Sequence, residues 1–406
     1  MKRGGFLLGA LSGLTVVAAT DSLFSRALAQ TPLPGLPGSE RRVFVLVNLQ
    51  GGNDGLNCVV PFGNPAYYRV RPTLGIPQAQ VLQLDSQIGF NPVMKSFKAM
   101  YDKGMVAVVQ GVGYPDPDHS HFRSTEIWQT AAPGRYGHTG WLGRYLDDAG
   151  LPKENLFNGI AVAQVMPEAL VAERTDVPAI AGLHGYGLLG DRNRAVRAAY
   201  GRLATDESEP YASPYLARVL EIEDHAQRGS ETLPALVAGY KTRASYPETP
   251  LGRSLALAAQ IVGGKTGTRV LYVQHGSFDT HVSQKATQDR LLGEFSDAVK
   301  AFYDDLREHG NDRRVLTMTF SEFGRRVAEN ASAGTDHGEA SPLFLVGGGV
   351  KGGVYGAYPN LTETHIGNVP FTTDFRSVYA TVLERWLGVA SAPVLRGSFP
   401  SIGALV

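Results

Sequence analysis

Apolar residues along this chain fall into short, nearly continuous runs separated by amphipathic stretches. In Arg42-Val43-Phe44-Val45-Leu46-Val47-Asn48-Leu49 they occupy consecutive positions and many are β-branched, as in a strand covered on both faces. Met105–Gln110, Val270–Gln274, Val315–Phe320 and Leu343–Val346 repeat the pattern, and Ile160–Ala163 repeats it more weakly. Helical patterns predict helices over Pro92–Asp102, His121–Thr130, Gln284–His309 and Tyr379–Leu387. Strands alternating with helices predict an α/β fold, a mostly parallel sheet flanked by helices. Residues 186–264 break the alternation. They are rich in Ala, Arg, Leu and Glu, are punctuated by Pro210, Pro214, Pro234, Pro247 and Pro250, and read as a helical insertion beside the sheet.

The N-terminus follows a different logic. Met1-Lys2-Arg3 is positive, Phe6–Ala19 is apolar but short for a bilayer span, and Ala27-Leu28-Ala29 has the small-x-small pattern of a cleavage site. Residues 1–29 are therefore expected to be a signal peptide and Gln30 the mature start. Residues 30–40 read as a Pro/Gly-rich linker, and 41–406 as the α/β domain. Lys2-Arg3-Gly4-Gly5-Phe6-Leu7 resembles a twin-arginine signal with lysine in place of the first arginine. The expected location is periplasmic or secreted, with no stable membrane span after cleavage.

Charge and cysteine narrow the picture. Lys+Arg 38 balances Asp+Glu 38, and no basic run carries interleaved aromatics, so nucleic acid is not an expected partner. The single cysteine, Cys58, excludes a disulfide within the chain, so the fold must be held by its core even in an oxidising compartment.

The candidate chemistry is positional. Four predicted strands each run into a polar segment: Gly51-Gly52-Asn53-Asp54-Gly55, Gly113 to His121, His275 to His281, and Ser321-Glu322-Phe323-Gly324-Arg325-Arg326. In a parallel sheet the strand C-termini share one edge, where ligands bind. Thr335-Asp336-His337-Gly338 precedes the last of the core runs, so it must fold back over that edge to join them. Asp54, Asp279, His281, Asp336 and His337 are of the types that ligate one or two divalent metal ions: Zn, Mn, Mg or Ca. Ser120 reads either as a helix N-cap or as a nucleophile, and His121 as a ligand, a general acid/base or a packed histidine. Glu322 could orient a histidine or ligate metal, and Arg325 or Arg326 could neutralise a phosphate or sulfate. No Gly-x-Ser-x-Gly elbow appears, and no Gly-x-Gly-x-x-Gly follows the first strand.

Six segments, in this order, resemble the bacterial exported family called domain of unknown function 1501. They are Leu49 to Asn57, Ser120-His121-Phe122, Phe278-Asp279-Thr280-His281, Ser321 to Arg326, Gly334 to Gly338, and Thr373-Asp374-Phe375-Arg376. That family is similar in pattern to the alkaline phosphatase and sulfatase superfamily. The resemblance implies an alkaline-phosphatase-like fold, Asp54, Asp336 and His337 around one metal, Asp279 and His281 around another, and Ser120 as nucleophile. The Asp279–His281 spacing is tighter than the superfamily's, and only His365 follows His337, so Glu322 or His121 would have to complete a second metal. Two functions follow. One is an exported metal-dependent hydrolase of phosphate or sulfate esters, acting on a small anionic ester or polymer. The other is a non-catalytic exported protein of the same fold that binds an anion, a glycan or a partner.

Overall fold

The computed structural model describes residues 41–183 and 214–406. The expected signal peptide and linker, and part of the expected insertion, lie outside the described residues.

The run at 43–49 forms β1 (Val43–Leu49), buried at every position. Its side chains alternate between two cores. Val43, Val45, Val47 and Leu49 enter one, and Phe44 and Leu46 the other. A strand with a core on each face has no position where water would favour a polar residue, which explains the continuous apolar run. The remaining strands of this sheet are β2 (Val106–Gly113), β3 (Gly159–Val162), β4 (Val270–His275), β5 (Val315–Phe320), β6 (Ser341–Gly347), β7 (Gly353–Tyr355) and β8 (Thr373–Asp374). Their order is β7-β2-β6-β5-β1-β4-β3, with β8 also beside β2. The α/β class and the mostly parallel sheet expected from sequence are both present.

One strand departs from that expectation. β6 runs antiparallel to both β2 and β5. Its N-terminal end therefore lies at the edge where its neighbours finish, and Thr335–Gly338 reaches that edge directly, with no fold-back. The central register brings the other segments level: Leu49 stands opposite His275, and Asn48 opposite Phe320.

The helices that bear on the core and the site are α1 (Gly55–Cys58), α2 (Lys95–Tyr101), α3 (His121–Thr130), α4 (Trp141–Asp148), α5 (Pro214–Val237), α6 (Pro250–Gly263), α7 (Gln284–Glu308) and α8 (Phe375–Thr381), beside the short helices Pro65–Val70 and Ser391–Leu395. Helices α2, α6 and α7 bury Phe97, Leu255 and Phe295 in the core that takes Val45, while α4 and α8 bury Trp141 and Tyr379 in the other. Helix α7 is laced on its wet face by i,i+4 pairs, Lys285–Asp289 and Lys300–Asp304 among them. The helix expected over Tyr379–Leu387 starts earlier, at Phe375, because the Asp374 side chain caps it by accepting from Arg376 N–H. It then widens into a π-helical turn over Val382–Leu387. The described part of the insertion is helical, as α5 and α6.

Candidate metal centre

Four segments meet at the common edge, and Arg325 ties them together. Its side chain is fully buried. Nε donates to Gly52 O at 2.6 Å, Nη1 to Thr335 O at 2.8 Å, and Nη2 to Phe278 O at 3.1 Å and Asp279 Oδ1 at 2.7 Å. Nη2 also donates to Gly51 O. One guanidinium thus joins the segments after β1, β4 and β5 to the one before β6. Its donors are spent on the protein, so Arg325, offered by the sequence as a substrate contact, holds the site together instead. Arg326 beside it is exposed, and its charge reaches Asp336.

Three imidazoles converge within this frame. Each binds an oxygen through Nδ1. His121 Nδ1 lies 2.7 Å from Glu322 Oε1, His281 Nδ1 3.3 Å from Asp336 Oδ1, and His337 Nδ1 2.8 Å from His119 O. Carboxylates and carbonyls only accept, so each Nδ1 carries the proton, and a neutral ring then presents a bare lone pair at Nε2. The three Nε2 atoms gather around Asp279. His281 Nε2 is 2.9 Å and His337 Nε2 3.3 Å from Oδ1, and His121 Nε2 is 3.4 Å from Oδ2. The Nε2 atoms of His281 and His337 are 3.0 Å apart. The Arg325 guanidinium offsets part of the repulsion among these lone pairs and the carboxylate, with Nη2 on Asp279 Oδ1 and Nη1 3.5 Å from His281 Nε2, and a divalent ion would offset the rest.

The spacing suits such a cation. Ligands about 2.0–2.1 Å from a tetrahedral zinc ion stand roughly 3.3 Å from each other. Backing each ligand imidazole by an oxygen acceptor at its far nitrogen is how metal-binding histidines are oriented. The His121 Nε2 atom is buried and has no hydrogen-bond partner, as an atom awaiting a ligand would be. His121, Asp279 and His337 are close enough to share one divalent ion, and His281 Nε2 lies beside them, 2.9 Å from Asp279 and 3.0 Å from His337.

Charges follow from these contacts. Burial pushes the Asp279 carboxyl up, but hydrogen bonding to Arg325, its charge, and the facing histidines outweigh this and hold it down at about 2. The hydrogen bond to Glu322 raises His121 above the ordinary histidine value. Burial, aided by the Arg325 charge, lowers His337. The bond from Asn330 lowers Asp336.

Other residues singled out from sequence fall elsewhere. Asp54 is fully buried, and its oxygens accept from Arg71 Nη1 at 2.6 Å, Gln284 Nε2 at 2.5 Å and Leu56 N–H at 3.2 Å. It is a satisfied carboxylate that caps α1, which corrects its reading as a metal ligand. Asp336 reaches the centre only through His281. Glu322 is buried, accepts from Gly51 N–H at 2.8 Å, and orients His121. Ser120 holds the N-cap position of α3, but its hydroxyl makes no cap bond and the residue is exposed. It sits between His119, whose carbonyl binds His337, and His121. The sequence reading missed Arg71, Asn330 and Phe323. Phe323 carried no polar signal, yet its ring lies 4.9 Å from His121 and 4.5 Å from His337.

A second trio, Asp176, Glu221 and His225, is also close enough to share an ion. Arg218 already pairs both carboxylates, at 2.5 and 2.7 Å.

Solved structures similar to this chain include the C-terminal periplasmic domain of EcEptC from Escherichia coli, a zinc complex (10% identity, 76% of this chain and 73% of that one, TM-score 0.36). The lipoteichoic acid synthase LtaP from Listeria monocytogenes is similar at 8% identity, over 89% of this chain and 76% of that one, with TM-score 0.37. The PsFucS1 sulfatase from Pseudoalteromonas sp. is similar at 11% identity, over 89% and 70%, also with TM-score 0.37. At such identities none of them speaks for the chemistry of this chain. No protein of curated function matches it. A family model does match, over residues 41–394, and the chain belongs to that family, the proteins of unknown function designated DUF1501.

Proposed function

We propose that this protein is an exported, metal-dependent hydrolase of phosphate or sulfate esters. The observation that carries the reading is the set of three imidazoles, each tied by Nδ1 to an oxygen and each turning Nε2 toward Asp279. Three nitrogens with one carboxylate suit Zn or Mn better than Mg or Ca, which favour oxygen ligands. A bound ion would supply Lewis-acid polarisation of an ester oxygen. The chain's own groups supply the rest. Ser120 is the nucleophile, its hydroxyl free of capping duty, with its backbone fixed by the bond from its N–H to Asp118 Oδ1 at 2.6 Å. The bond from His337 Nδ1 to His119 O keeps this loop against the centre. Arg326 neutralises the anionic substrate. Glu322 and Asp336 hold His121 and His281 in orientation, as catalytic or metal-binding imidazoles require.

The test is elemental analysis of purified mature protein together with turnover of generic phosphate and sulfate esters. The expected result is one bound ion per chain, lost in His281→Ala and in His337→Ala, and retained in Ser120→Ala while turnover disappears. Substoichiometric metal in wild type would end the metal reading. A loaded protein that turns over no ester would favour a binding role for the same fold. Among the described residues no helix is long and apolar enough to cross a membrane. Export itself is tested by N-terminal sequencing of protein from its native compartment, where the first residue is expected to be Gln30.

A further inference from the structure

Asn330 carries no charge and lies in the loop between β5 and β6, yet its side-chain amide uses all four of its hydrogen-bonding positions. Nδ2 donates to His281 O at 3.0 Å and to Asp336 Oδ1 at 3.2 Å. Oδ1 accepts from Ser332 N–H at 2.9 Å and from Gly334 N–H at 3.0 Å. The two ends serve different purposes. Oδ1 closes its own turn, helped by the backbone bond from Asn330 N–H to Gly334 O at 2.9 Å. Nδ2 reaches across to the loop after β4 and grips His281 twice. One grip is direct, on the main-chain carbonyl. The other runs through Asp336, whose Oδ1 also lies 3.3 Å from His281 Nδ1. The side chains of His281 and Asp336 are 40% and 55% exposed, so packing alone does not fix either rotamer. Among the described residues, the hydrogen bonds of the Asp336 carboxylate go to Asn330 and His281 and to no other side chain.

We propose that Asn330 is a positioning residue: its Nδ2 group sets the backbone and ring of His281, and so turns Nε2 toward Asp279 and His337. The effect on a bound ion rests on the metal reading of the centre. The effect on the ring does not. Without the Nδ2 donor, Asp336 is free to leave Nδ1 for water, and the proton of a neutral ring is free to move to Nε2. Nε2 would then face the ion as an N–H instead of a lone pair. A group that orients a ligand imidazole in this way is expected to change metal affinity by about 10–100-fold.

The experiment compares wild type, Asn330→Asp, and the exchange Asn330→Asp/Asp336→Asn. Asn330→Asp keeps an acceptor for the turn, removes the donor and sets two carboxylates against each other. The exchange restores one donor–acceptor pair between positions 330 and 336, and leaves an amide oxygen at 336 for the His281 Nδ1 proton. Zinc affinity is read by competition titration, and the His281 tautomer by nitrogen NMR of metal-free protein at pH ~8, where imidazole is neutral. Asn330→Asp is expected to weaken zinc binding about 10–100-fold and to move the ring proton from Nδ1 toward Nε2, with its unfolding midpoint close to wild type. The exchange is expected to bind zinc more tightly than Asn330→Asp and to return the proton toward Nδ1. Wild-type affinity and tautomer in Asn330→Asp would show that the residue only closes its turn, and would overturn the proposal. An exchange variant no better than Asn330→Asp overturns it too. Should Asn330→Asp not fold, the exchange decides: affinity near wild type supports the proposal, and loss of zinc overturns it. If wild type binds no zinc, the metal reading fails and the tautomer decides alone. A proton on Nδ1 in wild type that shifts in Asn330→Asp then supports the proposal, and a proton that stays where it was overturns it.

Discussion

Asp54 and Arg71 are both wholly buried, and each satisfies the other. Arg71 also donates to Val327 O at 2.8 Å, Asn57 Oδ1 at 2.9 Å and Arg326 O at 2.9 Å, so the pair anchors α1 to the segment after β5. Removing one partner strands the other charge in the interior. Asp54→Ala is therefore expected to cost about 3–5 kcal/mol by denaturant unfolding. Zinc bound to the still-folded protein at low temperature should stay at the wild-type level, whereas a true ligand would lower it. His275 sets a different expectation. It ends β4, donates from Nε2 to Leu291 O at 2.9 Å, and is held by burial below the ordinary histidine value. The folded state prefers the neutral ring, and the unfolded chain takes up its proton near pH ~6.5. Stability from this residue is thus complete above that pH and is lost as pH falls toward the depressed folded value. In His275→Gln, unfolding free energy between pH ~6.5 and ~5 should fall less steeply than in wild type, and parallel curves would refute the assignment.

At the scale of elements, the stitching between the loops after β4 and before β6 decides the geometry of the centre. Ser283 N–H donates to Ser332 O at 2.9 Å, Gln284 N–H to Ala333 O at 2.9 Å, and Thr335 N–H to Thr280 O at 3.2 Å. Gly334 lies where these loops touch. A Cβ there would come within 2.1 Å of the His281 backbone, which cannot swing aside as a side chain can. Gly334→Ala should push the loops apart, separate His281 from His337, and weaken zinc binding by about 10–100-fold in a competition titration. Wild-type affinity would show that the loops absorb the change. Most of this edge was legible in sequence, because continuous apolar runs mark doubly covered strands and parallel strands end together. The direction of β6 was not, since an apolar run reads the same either way. Nor was the fate of Asp54. A carboxylate between glycines looks like a ligand until its partner, Arg71, is brought to it by folding. His121, His281, Asp279 and His337 were legible as metal-compatible residue types. Their relation, Nδ1 outward and Nε2 inward, exists only in three dimensions.

At the scale of the molecule, the core carries the stability without help from a disulfide within the chain. Cys58 shows how fully. It is the only cysteine in the chain, and it lies in the core beneath one face of the sheet, with its sulfur 3.9 Å from Met94 Sδ. Burial pushes its thiol up to about 12, so almost no thiolate forms at neutral pH, and the thiolate is the reactive form. Two barriers therefore protect it, lack of access and lack of charge, and both vanish only when the surrounding core opens. Strands β1 and β2 and helices α2 and α7 all contribute to that core, so no local fraying of one element exposes the sulfur. The native protein should run as an unlinked chain on a non-reducing gel after air oxidation. Labelling by an aromatic disulfide reagent should proceed at the rate of global unfolding, and should speed up with denaturant in step with the loss of circular dichroism. Rapid labelling of folded protein without denaturant would mean that the core opens at Cys58 by a smaller motion, and the claim of one cooperative core would fall.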